Sequence, residues 1–216
     1  MTETVVQVTA APVRIEGNIT IPAAARGMVL FAHGSGSSRH SPRNRFVAGE
    51  LQKRALGTFL IDLLTADEDA VDMRTREHRF DIGLLARRLV AATEWLEQQS
   101  DTKDMKLGYF GASTGAAAAL VAAAERAAAV AAVVSRGGRP DLAGKSLPLV
   151  KAPTLLIVGG DDREVISLNR EASARMRVEN KIVIVPGASH LFEEPGTLEE
   201  VARLAGEWFE KYLKSP

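Results

Sequence analysis

The chain has no cysteine, few aromatic residues and no excess of charge of either sign. Of its 216 residues 5% are aromatic, and 27 lysines and arginines balance 27 aspartates and glutamates. The missing cysteines exclude disulfide bonds, a thiol nucleophile and cysteine metal sites. The balanced charge gives no overall attraction to nucleic acid or to an anionic membrane, so we expect neither as a partner.

Long apolar runs are missing as well. No run is long enough to cross a bilayer, and residues 1–5 show no basic region followed by the apolar stretch of a secretory signal. We therefore expect a cytoplasmic protein. With 46% hydrophobic residues, the composition is that of an ordinary soluble domain, and we expect residues 1–216 to form a single domain, as a monomer or a small homo-oligomer.

Short apolar runs alternate with helical patterns along the chain. Residues 5–8 and 13–21 alternate apolar with polar side chains and predict antiparallel edge strands, joined at Ala11-Pro12 or turning at Gly17-Asn18. Further strands are predicted at residues 27–33, 58–64, 107–110, 130–134, 154–158 and 181–185. Helices are predicted at residues 45–54, 82–96, 114–126, 168–176 and 198–213, and a polar loop at residues 65–80. This alternation predicts an α/β protein whose mostly parallel sheet carries helices on both faces.

The stretch Gly111-Ala112-Ser113-Thr114-Gly115 lies between a predicted strand and a predicted helix. Gly-x-Ser-x-Gly at such a place is typical of the nucleophile elbow of α/β-hydrolases, a turn so tight that its neighbours must be small. The motif by itself also fits an ordinary turn serine. Its position between strand and helix favours Ser113 as a nucleophile.

A serine nucleophile needs a base, and the base needs a carboxylate partner. His190 is the one histidine of four that follows the last predicted strand. The strand before it ends in a glycine followed by two candidate acids, Asp161 and Asp162. We choose Asp162, because it fits a Gly-x-x-Asp-x-x-Val pattern that begins at Gly159; an aspartate that caps the next helix would look the same in sequence. The order serine, acid, histidine is that of α/β-hydrolases.

The negative oxygen of a tetrahedral intermediate needs preorganised N–H donors. One is expected from the backbone of Thr114, the residue after the nucleophile. The other is expected from the Gly/Ser loop that follows the strand at residues 27–33, with Ser35 as first choice and Gly36 next. His33 is expected to shape this loop rather than to take part in catalysis.

Substrate contacts are predicted from the same loops. Gly36 lies in the Gly/Ser loop of residues 34–38, which we call the oxyanion loop. Arg136 follows a predicted strand end, where it is a candidate for binding a carboxylate. The basic segment of residues 39–45 is either a receptor for an anionic substrate group or a solvated turn. We expect no metal site and no cofactor.

The candidate segments together resemble the dienelactone hydrolase family of α/β-hydrolases. They are the His33-Gly34 loop, Gly111–Gly115, Asp162 and His190. Two further segments, residues 135–141 and 190–196, are similar to the small hydrolase domain often found beside phosphoribosyltransferase-like domains. The resemblance covers nearly the whole chain and implies an α/β-hydrolase fold and ester hydrolysis. Dienelactone hydrolases proper use a cysteine where Ser113 stands, and this difference argues against a dienelactone substrate.

Many α/β-hydrolases insert a cap domain after the strand that follows the nucleophile helix. Here only residues 137–153 lie at that place, too few for a cap domain, so we expect an open site for small soluble esters. The leading hypothesis is a serine esterase whose partner is a small-molecule ester. The alternatives are a binding protein with a degenerate hydrolase fold and a nucleotide- or phosphate-binding module. The latter lacks both Gly-x-Gly-x-x-Gly and the P-loop motif, and gives His190 no role.

Overall fold

Eight strands form one sheet that is parallel except at one edge. The structure, a computed structural model, describes residues 2–213. The strands are β1 (Glu3–Ala10), β2 (Val13–Thr20), β3 (Met28–Ala32), β4 (Gly57–Ile61), β5 (Leu107–Ala112), β6 (Val130–Arg136), β7 (Thr154–Gly159) and β8 (Asn180–Val185). Their order in the sheet is β1-β2-β4-β3-β5-β6-β7-β8, and β3 to β8 run parallel. The predicted α/β-hydrolase fold is confirmed.

The edge hairpin is antiparallel, as predicted. Strands β1 and β2 turn at Ala11-Pro12, next to the pairing of Ala10 with Val13. Gly17 lies inside β2 rather than in a turn. A Cβ atom on Gly17 would lie 2.4 Å from the ring of Phe59, so β2 can pair with β4 at this point only because Gly17 has no side chain.

Residues 2–213 contain six α-helices, five of which cover the two faces of the sheet. The six are α1 (Pro42–Lys53), α2 (Ala66–Thr75), α3 (Ile82–Gln98), α4 (Thr114–Glu125), α5 (Arg163–Arg175) and α6 (Thr197–Leu213). Helices α3, α4 and α5 pack on one face, and α1 and α6 pack on the other. In α4 the buried side chains from Ala116 to Ala123 are all methyl groups except that of Leu120, so α4 lies close to the sheet.

The predicted polar loop at residues 65–80 is wrong over most of its length, because residues 66–75 form α2. The Thr65 side chain accepts a hydrogen bond from the N–H of Glu68, and the Glu68 carboxylate accepts one from the N–H of Thr65. This capping box starts a helix that has no apolar stripe. Its one buried residue is Asp72, so apolar periodicity could not reveal it.

Two helices begin earlier than predicted. Helix α1 begins at Pro42, where Ser41 Oγ accepts the N–H of Asn44 at 3.4 Å. Helix α5 begins at Arg163 rather than at Leu168, directly after Asp162. The second difference matters for the site, because it places Asp162 at a helix N-terminus.

Residues 137–153 form no cap domain. Their regular part is a 3-10 helical segment, Pro140–Leu149, which packs against α4 and α5. Within residues 2–213, the carboxyl ends of the parallel strands therefore carry loops and no cap domain. Among the helices within residues 2–213, none has the length and apolarity needed to span a membrane.

Candidate active site

Ser113 sits on a strained turn between β5 and α4. Its backbone has φ 50° and ψ −122°, a combination that side-chain-bearing residues adopt only when their surroundings enforce it. The Ser113 N–H donates to Arg136 O at 3.3 Å, and Ser113 O accepts the N–H of Arg139 at 3.1 Å. Ser113 precedes α4, but its hydroxyl does not cap the helix. Unlike the hydroxyl of an ordinary N-cap serine, the Ser113 hydroxyl therefore accepts no hydrogen bond from the helix backbone.

The tightness of this turn depends on glycine on both sides of Ser113. A Cβ atom on Gly115 would lie 2.3 Å from Ala32 O and 2.4 Å from His33 O. One on Gly111 would lie 2.4 Å from Ala116 Cα. The first turn of α4 thus touches the end of β3, which brings the oxyanion loop beside the serine.

His190 and Asp162 are joined by a short hydrogen bond. The distance from His190 Nδ1 to Asp162 Oδ2 is 2.6 Å, and the side chains are 38% and 16% exposed. Asp162 is the N-cap residue of α5, yet its carboxylate makes no capping bond. Asp161 is exposed, and within residues 2–213 its carboxylate has no hydrogen-bond partner. Of the two candidate acids, Asp162 is the one that contacts the imidazole.

The elbow and the histidine loop meet at the end of β6. Ser113 N–H bonds Arg136 O, and a Cβ atom on the next residue, Gly137, would lie 3.7 Å from His190 Cε1. The nucleophile and the base candidate are thus on either side of residues 136–137. Within residues 2–213, Ser113 Oγ makes no hydrogen bond to His190, an arrangement that permits tightening when a substrate binds.

Glu194 holds the histidine loop and was missed by the sequence reasoning. Its carboxylate Oε2 accepts the N–H of Ser189 at 3.0 Å, and its carbonyl accepts the Thr197 hydroxyl at 2.7 Å. The hydrogen bonds from Ser189 lower the pKa of this half-buried carboxyl below its ordinary value. Glu194 belongs to the segment that carried the family resemblance, which is the signal that could have found it.

The oxyanion candidates lie next to the serine. A Cβ atom on Gly34 would be 3.0 Å from Ser113 Cβ, so the loop that contains Ser35 touches the elbow. Ser35 Oγ and Thr114 Oγ1 are 3.0 Å apart and hydrogen-bonded. In the described part of the chain, the backbone N–H groups of Ser35 and Thr114 donate to no protein acceptor. Two amide donors thus remain unused beside Ser113.

His33 fixes the oxyanion loop from within the core. Its Nδ1–H donates to Gly34 O at 2.9 Å, and its Nε2 accepts the N–H of Leu63 at 3.0 Å. This pair of bonds requires the neutral imidazole. Burial lowers the pKa of His33 below its ordinary value, which keeps the ring neutral. The interpretation that His33 shapes the loop accords with these contacts.

Gly36 completes the turn of this loop. The N–H of Ser37 donates to Gly34 O at 3.2 Å, which closes a four-residue turn. Gly36 occupies the third position with φ +64°, a conformation that glycine adopts without strain. It is exposed, and so it lies on the solvent side of the loop.

The buried Asp72 and the half-buried Arg79 form an ion pair next to this loop. Asp72 accepts hydrogen bonds from the N–H groups of His78 and Arg79 and from Arg79 Nε at 2.6 Å. Burial acts to raise the pKa of Asp72, but the hydrogen bonds from Arg79 outweigh it and the pKa is lowered. Ser35 Oγ lies 3.5 Å from Arg79 O, so α2 reaches the oxyanion loop through Arg79.

Arg136, predicted as a carboxylate-binding residue, is 6% exposed at the end of β6. Its Nη2 donates to Asn44 Oδ1 at 3.3 Å, and its Cζ lies 5.9 Å from the centre of the Phe192 ring. Burial, followed by the positive charge of Arg43, lowers the pKa of Arg136 to about 10. It remains a cation at neutral pH.

Cavities are modest in size. One of about 380 Å³ lies beside the oxyanion loop and is lined by Ser37, Ser38 and Arg39 among others. Another cavity, of about 400 Å³, lies at the amino ends of the strands, where Lys106 and Ala129 line it. It is at the far end of the sheet from the candidate catalytic groups. The first cavity lies at the carboxyl ends of the strands, where ligands bind in parallel sheets, but Ser113, Asp162 and His190 do not line it.

These groups have the composition required for acyl transfer. The site offers a hydroxyl, an imidazole bonded to a carboxylate, and two unused amide donors, which are the parts of a nucleophile, a base and an oxyanion site. In the described part of the chain, no group of three or more histidine, aspartate or glutamate residues is placed to hold a metal ion.

The sequence matches a known family model. Residues 57–214 match the model of the dienelactone hydrolase family. A curated protein of Mycobacterium tuberculosis, named "Putative phosphoribosyl transferase Rv0571c", is 58% identical over 211 residues. That alignment covers 98% of this chain but 47% of the relative, so the chain spans about half the length of the curated relatives it matches.

Solved structures of similar proteins share the fold. A dienelactone hydrolase from Anabaena variabilis is 62% identical, with a TM-score of 0.97 and 99% of both chains covered. Est1E from Butyrivibrio proteoclasticus is 13% identical, with a TM-score of 0.80 over 96% of this chain and 98% of that one. At that identity the similarity concerns the fold alone. The resemblance stated from the sequence is confirmed, and the name of the mycobacterial relative agrees with the expected companion domain.

Proposed function

The chain belongs to the dienelactone hydrolase family, and from this premise we propose that it hydrolyses small soluble carboxylic esters through Ser113, His190 and Asp162. The observation that carries the proposal is the 2.6 Å bond between His190 Nδ1 and Asp162 Oδ2, beside a strained elbow whose serine hydroxyl does not cap the helix. Asp162 holds the imidazole in one tautomer, which leaves Nε2 as the free nitrogen for proton transfer.

The proposed reaction has two halves. His190 Nε2 takes the proton of Ser113 Oγ as that oxygen attacks the ester carbonyl, and the backbone N–H groups of Ser35 and Thr114 stabilise the oxyanion. The intermediate collapses, the alcohol leaves with the proton from His190, and an acyl-serine remains. Water, activated by the same imidazole, then releases the carboxylic acid and regenerates the serine.

The range of substrates follows from what surrounds the site. Since residues 2–213 contain no cap domain over the strand ends, they offer little apolar surface to a long acyl chain. We propose short, soluble esters on this ground. A dienelactone is not favoured, because dienelactone hydrolases proper act through cysteine and this chain has Ser113.

Phosphoribosyl transfer is the competing function, since the mycobacterial relative carries that name. We assign this activity to the part of the relative that the chain does not cover, because residues 57–214 of the chain match the model of a hydrolase family. Incubating the protein with phosphoribosyl pyrophosphate and nucleobases, followed by assay for pyrophosphate, should give no product. Pyrophosphate release would favour the transferase.

A covalent probe tests the hydrolase proposal directly. The protein is treated with a fluorophosphonate, and its intact mass is measured together with that of Ser113→Ala. Ser167→Ala, which changes an exposed serine on α5, is the matched control. We expect one adduct on the parent protein and on the control, and none on Ser113→Ala. An unmodified parent protein would contradict the proposal.

A steady-state assay with a chromogenic short-chain ester tests the base. We expect His190→Ala to lose nearly all hydrolysis, because no other described histidine contacts Asp162. Hydrolysis by His190→Ala at the parental rate would remove His190 from the mechanism. The assignment of Ser113 would then rest on the covalent probe alone.

A further inference from the structure

Arg39 directly follows the oxyanion loop, and one carboxylate binds it twice. The Arg39 backbone N–H donates to Asp62 Oδ1 at 2.7 Å, and its Nη1 atom donates to Asp62 Oδ2. Both side chains are largely shielded from solvent, with 15% and 16% exposed. A partly buried ion pair is screened less by salt than an exposed one, and hydrogen bonds between ionised groups are strong. Asp62 therefore fixes the backbone and the side chain of Arg39 together.

Two further donors of Arg39 reach the strand β2. Arg39 Nε donates to Asn18 Oδ1 at 2.8 Å, and Nη2 donates to Glu16 Oε2 at 2.6 Å. The Asp62 N–H also donates to Glu16 O at 2.9 Å, so the two acceptor segments are joined to each other. Side chains from β2 and from the residue after β4 thus occupy the planar guanidinium. This distinguishes Arg39 from an arginine in a solvated turn.

The first end of the oxyanion loop is attached to the same segment of the chain. His33 precedes the loop, and its Nε2 accepts the N–H of Leu63, the residue after Asp62. Two consecutive residues that follow β4 therefore hold both ends of residues 34–38. A short loop that is fixed at both ends has few conformations available, so its backbone is preorganised.

The two anchors bear on the oxyanion site, because Ser113 and the loop belong to different strands. Ser113 follows β5, whereas the loop follows β3 and is attached to the end of β4. A Cβ atom on Gly34 would lie 3.0 Å from Ser113 Cβ, so the loop meets the elbow closely. A shift of either anchor would move the Ser35 N–H relative to the serine. Oxyanion donors stabilise the negative oxygen only within hydrogen-bond distance of it.

On the basis of the proposed function, we propose that Asp62 and Arg39 are positioning residues of the oxyanion site. Their ion pair holds the loop at the place where the Ser35 N–H meets the negative oxygen of the intermediate. Neither side chain contacts the substrate, and both act through the backbone of Ser35. Because Arg39 also binds β2, this edge strand supports catalysis, although it lies outside the part of the chain that matches the family model.

The test compares an ester with its thiono analogue, in which sulfur replaces the carbonyl oxygen. Attack on 4-nitrophenyl butyrate creates an oxyanion, whereas attack on the thiono analogue creates a thioanion, and sulfur is a weak hydrogen-bond acceptor. The ratio of the two kcat/KM values, ester over thiono ester, therefore measures how well the oxyanion donors are placed. A loss of folded protein lowers both values alike and leaves the ratio unchanged.

Asp62→Asn and Arg39→Lys should each lower this ratio about tenfold, less than the loss from removing an oxyanion donor, because Ser35 keeps its N–H. Lysine keeps the charge of Arg39 but lacks the planar fork of donors. The double variant should be little worse than either single variant, since both changes break the same ion pair. Parental ratios in both single variants would overturn the proposal.

Asp101→Asn and Arg203→Lys are the matched controls, because they make the same chemical changes in exposed residues. Asp101 follows α3, and Arg203 lies on α6, where it pairs with glutamates of its own helix. Both controls should keep the parental ratio. An equal fall of the ratio in the controls would overturn the proposal, because the effect would then not arise at the loop. Circular dichroism on each variant ensures that folded proteins are compared.

Amide hydrogen exchange separates this proposal from the proposed function, because it needs no turnover. Backbone hydrogen bonds inside residues 34–41 protect amides of the loop while it keeps its shape. We expect these amides to exchange about tenfold faster in Asp62→Asn and in Arg39→Lys, but not in the controls. Faster exchange in a protein that hydrolyses neither ester would contradict esterase activity and support the anchoring of the loop. Exchange at the parental rate in both variants would overturn the anchoring.

Discussion

The hydroxyl groups of Ser35 and Thr114 lie 3.0 Å apart and join the two segments whose backbone N–H groups are the proposed oxyanion donors. Thr114 is the first residue of α4, and Ser35 belongs to the loop after β3. A bond between them sets the separation of two donors that come from distant parts of the chain. The side chains thus position the donors without supplying them.

Thr114→Val should lower kcat for a short-chain ester about tenfold while leaving KM nearly unchanged. The effect should be smaller than the 10²- to 10³-fold loss typical of removing an oxyanion donor, because the backbone N–H remains. Ser35→Ala should lower kcat to a similar extent. The double variant should lose little more kcat than either single variant, since both changes remove the same hydrogen bond. Ser37→Ala is the control within the loop. Additive losses from the two single changes would contradict the coupling.

Asp162→Asn should lower kcat by about 10⁴, because an amide no longer holds the tautomer that accepts the serine proton. Asp161→Asn is the matched control: it changes the neighbouring residue by the same atoms, and the Asp161 side chain is exposed. Steady-state kinetics on both variants decide the matter. A larger loss from Asp161→Asn would mean that the wrong aspartate was chosen.

His33 should make the free energy of unfolding depend on pH below about 7. Burial lowers the pKa of His33 in the folded state, so at acid pH the unfolded chain binds a proton that the folded protein does not bind. The contribution of His33 to the free energy of unfolding is complete above the unfolded-state pKa of about 6.5. As the pH falls below that value, the contribution is lost by up to about 1.4 kcal/mol per pH unit. His33→Asn keeps a donor for Gly34 O but cannot titrate. The free energy of unfolding, measured with urea at several pH values, should therefore fall more steeply toward acid pH for the parent protein than for His33→Asn. Parallel curves for the two proteins would refute the argument.

Gly115→Ala should destabilise the fold by about 3 kcal/mol or more and reduce hydrolysis, because its methyl group would overlap the carbonyl oxygens of Ala32 and His33. Gly49→Ala is the opposite case. It lies inside α1 with no atom within 4 Å of the new methyl group, so it should stabilise the protein by about 0.5 to 1 kcal/mol. Thermal unfolding of the pair measures both. Equal stability of the two variants would contradict the packing described at the elbow.

Much of the fold was predictable because its elements carry strong local signals. The buried parallel strands are continuous apolar runs, and α3 and α6 repeat apolar residues at helical spacing. Helix α2 was not predicted, because its stabilising contacts are polar. A capping box at Thr65 and Glu68 could have indicated its start, but nothing periodic marks its single buried side chain, Asp72.

The candidate site could be proposed from the sequence where a motif or an order of elements points to a residue, as at Ser113 and His190. The contacts that hold these residues come from distant segments, and such contacts have no pattern in one sequence. Glu194 bonds the amide of Ser189, and the Thr114 hydroxyl meets Ser35 across 79 positions. Arg136 bonds Asn44 across 92 positions, a contact that could be found only in three dimensions.

The alanine-rich packing of α4 bears on how this protein can change during evolution. Because its buried side chains from Ala116 to Ala123 are nearly all methyl groups, a larger residue there would push the helix away from the sheet and carry Thr114 with it. New substrate ranges should therefore arise by exchange of residues in the loops beyond the strand ends, while α4 tolerates little variation. A randomised library confined to those loops would yield more active clones than one confined to α4.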